Sequence, residues 1–560
     1  VVAAGVALAV ITSWPLVLHL PSRIAPDLGD PVRTAWQVAW VGHAILHDPV
    51  HLFDANAFYP HPLSLAFSDS LLGYGPTAFF GSGTVAALVR YNLLFLFAWS
   101  LCFVGAYLLA RELGLGRLGA AAAGAAFAYA PYRVTEAGHL HVISSGGIPL
   151  ALFLLLRGYR RGSLALVLAG WLVSAWQISL GFTLGLQYSY LLGVLALAAL
   201  AYWLWQRRPA LPRRMVAATC AGIAVVLLVT AYESRPYLKV SHDYPTAKRT
   251  LREVKTYSAP PAALLAAPRE NRVWAGATSA LRAKVHSKNE SVFFPGGAIL
   301  VLAAIGLAAP LYPRRLRLAL LGGIVVCSVL ALGLGLTGAG YPYRLLYDYA
   351  PGWDGVRVPG RVFTLATLFY ALLAAAGTEL LAQRAGAWGT RHSLRGVAAL
   401  TGAVLVVGIL GEGAGRLGHP RVPEPTRAEI ALPGPRLDLP TDGAADRVWQ
   451  YFSTDGFYKI PVGNSTFDIP AVDDLRGGMN GFPDRASVEK LRYYGIRTVV
   501  LHLRLPRLPG VVGFARPEPP DAFAAAARPI AGLGLSRRRV GSLVIFHIGP
   551  GPKALHGSNR

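Results

Sequence analysis

A succession of apolar stretches, most of them close to twenty residues and separated by short basic connections, constrains this chain more than any other feature. A helix that crosses a bilayer needs about 20 mainly apolar residues, because its backbone N–H and C=O groups must be paired within the segment. Stretches of this kind fall near 2–20, 91–110, 118–131, 143–157, 163–181, 184–205, 215–232, 293–312, 316–336, 361–382 and 396–412. The pattern predicts an α-helical polytopic membrane protein of about eleven spans. Charge agrees, since 15% of the 560 residues are charged against about 25% in soluble domains. The first stretch, VVAAGVALAVITSWPLVLHLP, meets no small-residue cleavage site and precedes many further spans, so it reads as an uncleaved span. Cys102, Cys220 and Cys327 all lie in apolar stretches, which argues against a disulfide framework or a cysteine metal cluster.

The basic residues set the expected topology. Lys and Arg total 53 against 29 acids, a formal net charge of +24. On a soluble protein this excess would raise nucleic acid as a partner. Here much of it recurs in alternate connections: Arg111 and Arg117; Arg157, Arg160 and Arg161; Arg207, Arg208, Arg213 and Arg214; Arg314, Arg315 and Arg317; Arg384, Arg391 and Arg395. It therefore reads as a topology signal, and no nucleic-acid partner is expected. The positive-inside rule puts these connections in the cytoplasm. It puts the loops 21–90 and 233–292, the turn 337–360 and everything after Gly413 outside. Abundant Ala, Gly and Arg point to a high-GC bacterium, and the expected location is the bacterial plasma (inner) membrane. The 233–292 loop is itself basic, from Arg235 and Lys239 through Arg249 to Lys288, which suits anionic headgroups or a lipid-borne phosphate.

The domain plan follows. Residues 1–412 form the transmembrane domain with outer loops 21–90 and 233–292. The Pro- and Gly-rich 413–445 stretch reads as a linker, and 446–560 as a small α/β extracytoplasmic domain. In that domain LRYYGIRTVVLHL reads as a helix end, a Gly stop and a buried strand, and SLVIFHIG as a second strand. In the first outer loop, Asp30-Pro31 reads as an N-cap and first helical position of a helix running to about Leu46. Val32, Trp36, Trp40 and His43 share one face, the pattern of a helix lying among lipid headgroups. The 75–90 stretch reads as a second such helix.

An enzyme facing away from the cytoplasm has sugars available on polyprenyl phosphates rather than on nucleotides. Transfer from such a donor needs a carboxylate to take the acceptor's hydroxyl proton. It also needs cationic groups to hold the leaving phosphate. Asp30, just beyond the first span, is the candidate general base, although helix capping explains an Asp before Pro equally well. Asp27 reads as a loop solvation residue. Asp54 and Asp69 read as Asx-turn or cap residues, or as part of a substrate site. Between the third and fourth spans lie Arg133, Glu136, His139 and His141, of which Glu136 and His139 would share a helical face. Glu290 stands at the mouth of the eighth span, and Arg357 and Arg361 flank another. Each reads either as a polar rim or interface anchor, or as a contact to phosphate or sugar. No residues are assigned as metal ligands.

Several pieces resemble bacterial polytopic glycosyltransferases of the GT-C type: GDPVRTAWQVAW, LFDANAFYPHPLSLAFSDSLLG, YNLLFLFAWSLCFVGAYLLARELG, AFAYAPYRVTEAGHLHV, YSAPPAALLAAP, ESVFFPG and VRVPGRVF, with LRYYGIRTVVLH in the tail. Together they cover most of the chain in order. The resemblance implies a GT-C-like fold, a polyprenyl-phosphate-linked sugar donor, an acid in the first outer loop as base, and either no metal or a single divalent cation. Asp30 takes the position of that acid. Better-studied subfamilies often carry a pair of acids there, whereas the neighbour here is Gly29. The function expected is transfer of a sugar to a glycan, lipid or protein acceptor of the cell envelope. Two other classes stay open: a transporter or flippase of lipid-linked glycans, and a non-catalytic assembly protein. Ion-coupled transport usually leaves acids in mid-membrane; here only Glu379 is a candidate, and no inverted repeat is visible.

Overall fold

The computed structural model describes residues 1–206, 212–287, 290–504 and 522–549; Arg207, Arg208 and Lys288 lie outside these. The chain divides into two compact units. One comprises Val1–Leu18, Leu93–Arg235 and Lys248–Gly418; the other comprises His19–Asn92, Pro236–Ala247 and His419–Arg560.

The first unit is helical. Among the described residues of the whole chain, five helices are long and apolar enough to cross a membrane: Gly83–Glu112, Leu140–Arg161, Phe182–Trp205, Arg213–Asp243 and Pro359–Arg391. Shorter apolar helices cover Val2–Thr12, Leu164–Ile178, Gly297–Ala308 and Val397–Glu412. Length and composition thus mark a membrane protein, with five full-length candidates where the hydropathy pattern suggested about eleven. The third expected span is the 13-residue helix Arg117–Tyr129, and short helices at Pro131–Thr135 and Leu140–Ile143 fill the connection before helix Gly147–Arg161.

Small residues let helices approach closely here. A Cβ on Gly306 would lie 1.8 Å from the Leu373 carbonyl oxygen, and one on Gly377 would lie 2.0 Å from that of Leu302. The two glycines face each other across the contact between Gly297–Ala308 and Phe363–Arg391. In a lipid environment such close backbone packing drives helix association, because burial of apolar area no longer does. Two acids of this unit serve helix starts. Glu379 Oε2 accepts the Gly119 N–H at 3.0 Å, in the first turn of helix Arg117–Tyr129. Glu412 Oε2 accepts the Ala298 N–H at 2.8 Å, at the start of Gly297–Ala308. A carboxylate there pairs orphan N–H groups and meets the positive end of the helix dipole. Glu379, the acid weighed for ion coupling, is thus engaged at a helix start.

The second unit is a mixed α/β body. Strands β1 (Arg436–Leu439), β2 (Thr498–His502), β3 (Leu535–Val540) and β4 (Leu543–Ile548) form one sheet in the order β1-β2-β4-β3. β1 and β2 are parallel, and the other pairs antiparallel. The expected helix, Gly stop and strand are found as helix Arg485–Tyr493, Gly495 at φ +69°, and β2. The stretch expected as a linker carries β1 and the capped turn Arg427–Ile430. The 21–90 segment shares this core: Trp36, Phe58 and Phe67 cluster with Leu437, Val499 and Phe546.

Three local expectations change. Asp30 is the first residue of helix Asp30–His47 and Gly29 its N-cap, so capping does not account for Asp30. Trp36 and Val32 are buried in protein, and Trp36 Nε1 donates to Asn56 Oδ1 at 2.9 Å. The helix face expected at the headgroups is covered by other segments, because protein supplies the same apolar contacts. The 75–90 stretch is not one helix either. A 3₁₀ segment, Leu72–Ala78, ends near Gly81 and Gly83, both at positive φ, and the residues from Gly83 continue into the long helix Gly83–Glu112.

Candidate functional site

Two polar groupings contain the residues singled out from the sequence, one in each unit.

In the second unit Asp30 sits at the start of its helix with a quarter of its side chain exposed. Arg33 Nη2 lies 3.2 Å from Asp30 Oδ2, and Arg447 Nη2 lies 3.5 Å from Oδ1. Arg33 Nη1 also donates to Asn464 Oδ1 at 3.0 Å. Asp27 folds back so that its Oδ1 accepts the Gly29 N–H at 2.7 Å. A Cβ at position 29 would come within 2.8 Å of that oxygen. A side chain there would displace the Asp27 carboxylate, which serves as a turn-forming acid rather than a solvation residue. Asp54 is engaged in the loop: its Oδ1 accepts the Leu63 N–H at 2.7 Å, and Leu63 holds φ +56°. The Asp69 carbonyl accepts from Gln37 Nε2 at 2.9 Å. Asp30 is thus a part-exposed carboxylate facing two guanidinium groups, a group type that serves as a proton acceptor.

In the first unit the turn between Pro131 and Leu140 meets the segment before Gly297 and the start of Pro359–Arg391. His139 lies between two carboxylates, with Nδ1 3.2 Å from Glu136 Oε2 and Nε2 3.4 Å from Glu290 Oε1. Arg361 Nη2 is 3.4 Å from Glu290 Oε2, and its Nη1 donates to His141 Nε2 at 3.0 Å. Arginine has no acceptor, so His141 carries its lone pair on that nitrogen. Tyr132 Oη donates to Glu136 Oε1 at 3.4 Å. Burial works against charge on His139, but the Glu290 carboxylate and hydrogen bonds to Glu136 and Glu290 outweigh it, raising its pKa to about 10. For Glu290, burial is likewise outweighed, by His139 and Arg361, and its carboxyl is held well below the usual range.

Glu136 and His139 thus come together as their sequence proximity suggested, and Glu290, Arg361 and His141 join them. Arg133 does not. It is fully buried, with Nη2 donating to the Ile143 carbonyl at 3.0 Å and its guanidinium 5.6 Å from the Trp99 and Phe127 ring centres. Through that bond it braces the 131–143 turn. Arg357 stacks 5.0 Å over Tyr257. The ligand atoms of Glu136, His139 and Glu290 lie within 4.8 Å of one another, a donor set of two carboxylates and one imidazole. A divalent cation could use it only if His139 gave up its proton, because both imidazole nitrogens are engaged by the carboxylates and Arg361 already neutralises Glu290. Arg33, Asn464 and Arg447 were missed from the sequence. Only Arg33, three residues after Asp30, was within reach of a helical-spacing argument.

No family model matches the chain, and no curated protein matches it. Among solved structures, the arabinofuranosyltransferase AftD from mycobacteria superposes over 99% of this chain with a TM-score of 0.57 at 16% identity. The fold is that of the GT-C glycosyltransferases. The chain spans about two fifths of AftD, 42% of its length. Looser matches are the oligosaccharyltransferase AglB from Archaeoglobus fulgidus, solved with an inhibitory peptide and a dolichol-phosphate (TM-score 0.44, 12% identity, 90% of this chain and 69% of that one), and ArnT from Cupriavidus metallidurans (TM-score 0.39, 16% identity, 98% and 99%).

Proposed function

We propose that this GT-C-fold protein is an integral membrane glycosyltransferase. It moves a sugar from a polyprenyl-phosphate donor to a glycan, lipid or protein acceptor on the outer face of the bacterial plasma membrane. Asp30 is the general base. One observation carries the reading: Asp30 stands at the first position of a helix whose N-cap is Gly29, and its part-exposed carboxylate pairs with Arg33.

The chemistry balances with these groups. The acceptor hydroxyl gives its proton to Asp30 as its oxygen attacks the anomeric carbon. The bond from that carbon to phosphate oxygen breaks, and polyprenyl phosphate leaves with the electron pair. The leaving phosphate needs cationic groups, and guanidinium groups offer paired N–H donors for it. Glu290 and Glu136 hold Arg361 and His139 in place, and His141 completes that group. Asp54 fixes its own loop at Leu63, and the Asp69 carbonyl holds Gln37 of the helix that Asp30 begins.

The test is Asp30→Asn in lipid nanodiscs, offered a panel of polyprenyl-phosphate-linked pentoses and hexoses with envelope glycan and lipid fractions as acceptors. Released polyprenyl phosphate is the readout. Loss of a general base lowers turnover by about 10²–10⁴-fold. Full turnover in the variant would remove Asp30 from the mechanism.

A further inference from the structure

We propose that Arg447, supplied by the C-terminal part of the chain, is a positioning residue for Asp30; this rests on the reading of Asp30 as base. More than four hundred residues separate the two in sequence, and both belong to the second unit.

The argument starts from what holds Arg447. Its helix, Ala445–Phe452, is tied on several sides. Asp446 is buried and receives Arg476 Nη2 at 2.6 Å and the Thr441 hydroxyl at 2.8 Å. Trp449 donates from Nε1 to the Pro440 carbonyl at 3.0 Å and stacks on His502 with ring centres 4.3 Å apart. His502 is in turn held by Asp438, Nε2 to Oδ1 at 3.0 Å, and Asp438 by Arg436 at 2.9 Å. The helix is therefore fixed to β1 and β2 through a buried charged network.

From this fixed helix two connections reach Asp30. Arg447 contacts Oδ1 directly at 3.5 Å, and its Nη1 lies 3.7 Å from where a Cβ on Gly29 would stand. Gln450, three residues on and so on the same face, accepts the Asn464 N–H at 2.9 Å. Asn464 then holds Arg33, whose other nitrogen reaches Asp30 Oδ2 at 3.2 Å. Both carboxylate oxygens are thus set by groups that trace back to one rigid helix. A base works only when held ionised and aimed, and side chains locked by surrounding packing supply that. The C-terminal segment, on this view, completes the reaction centre instead of merely covering it.

The experiment reads the protonation of Asp30 without needing its substrate. Full-length protein in nanodiscs is treated with a water-soluble carbodiimide and an amine nucleophile across pH 3 to 8, and labelling at Asp30 is quantified by mass spectrometry. Glu489, well exposed, serves as internal reference. A nearby opposite charge lowers a carboxyl pKa by about 1–3 units. With Arg33 still present, Arg447→Met should move the Asp30 labelling midpoint up by about one pH unit. Arg447→Lys should restore most of it, and Glu489 should not move. Arg447→Gln, a more polar replacement, gives the same test if the Met variant does not fold. Turnover of the polyprenyl-phosphate panel should fall about 10-fold in Arg447→Met, a barrier increase of about 1.4 kcal/mol. An unmoved midpoint in both neutral variants, or a shift that lysine fails to reverse, overturns the inference. A fully active Asp30→Asn variant instead overturns the underlying reading, whatever the labelling shows.

Discussion

Replacing Glu290 by Gln tests the electrostatics of the first unit directly. His139 carries its proton because two carboxylates at 3.2 and 3.4 Å outweigh burial, lifting its pKa from 6.5 to about 10. The contributions are not equal by necessity, but the Glu290 charge heads the causes that raise it. Removing it should take away a large part of the lift and lower the His139 pKa. Arg361 loses its carboxylate in the same step and pushes His139 further down. Breaking one side of a buried ion pair costs about 3–5 kcal/mol, and the lower end applies because glutamine still offers a carbonyl oxygen. The assay is acylation by diethyl pyrocarbonate, which needs a neutral imidazole. At pH 7.5 His139 should be nearly unreactive in the parent protein and reactive in Glu290→Gln, with exposed His51 as reference. The sign of the pH effect follows. A folded-state pKa above the unfolded value contributes stability that is complete below pH 6.5 and is lost as pH rises through about 10. The parent protein should therefore melt at falling temperature between about pH 6.5 and 10, and in Glu290→Gln that fall should be smaller. Equal His139 acylation in both proteins would refute the two-carboxylate account.

Other outcomes follow from the packing. Gly306→Val should prevent recovery of monodisperse protein from mild detergent, because its side chain would meet backbone at 1.8 Å; size-exclusion profiles check this. Asp438→Asn should destabilise the α/β unit by about 3–5 kcal/mol, since Arg436 is left buried without its carboxylate; thermal melts followed by Trp449 fluorescence measure it. Arg133→Met should lower stability by disordering the turn that carries Glu136 and His139, and a limited-proteolysis rate within 131–143 reports the change.

Hydropathy and local spacing were enough for the helical membrane character, the Gly-terminated helix before β2, the strand at SLVIFHIG and the neighbourhood of Glu136 and His139. These depend on residues close in sequence, where apolar periodicity and turn chemistry act. The same reasoning placed Trp36 and Trp40 among lipid headgroups, since an apolar helix face does not say whether lipid or protein will cover it. It also left Asp30 equally explained as a cap, because which residue caps depends on where the helix begins, here at Gly29. Arg133 looked like its neighbours on paper, yet its guanidinium turned inward between aromatic rings. What the tertiary structure alone decided is pairing. Coulombic partners are chosen by distance in space, so Arg447 and Asn464 could meet the first outer loop only once the chain's end had folded against it.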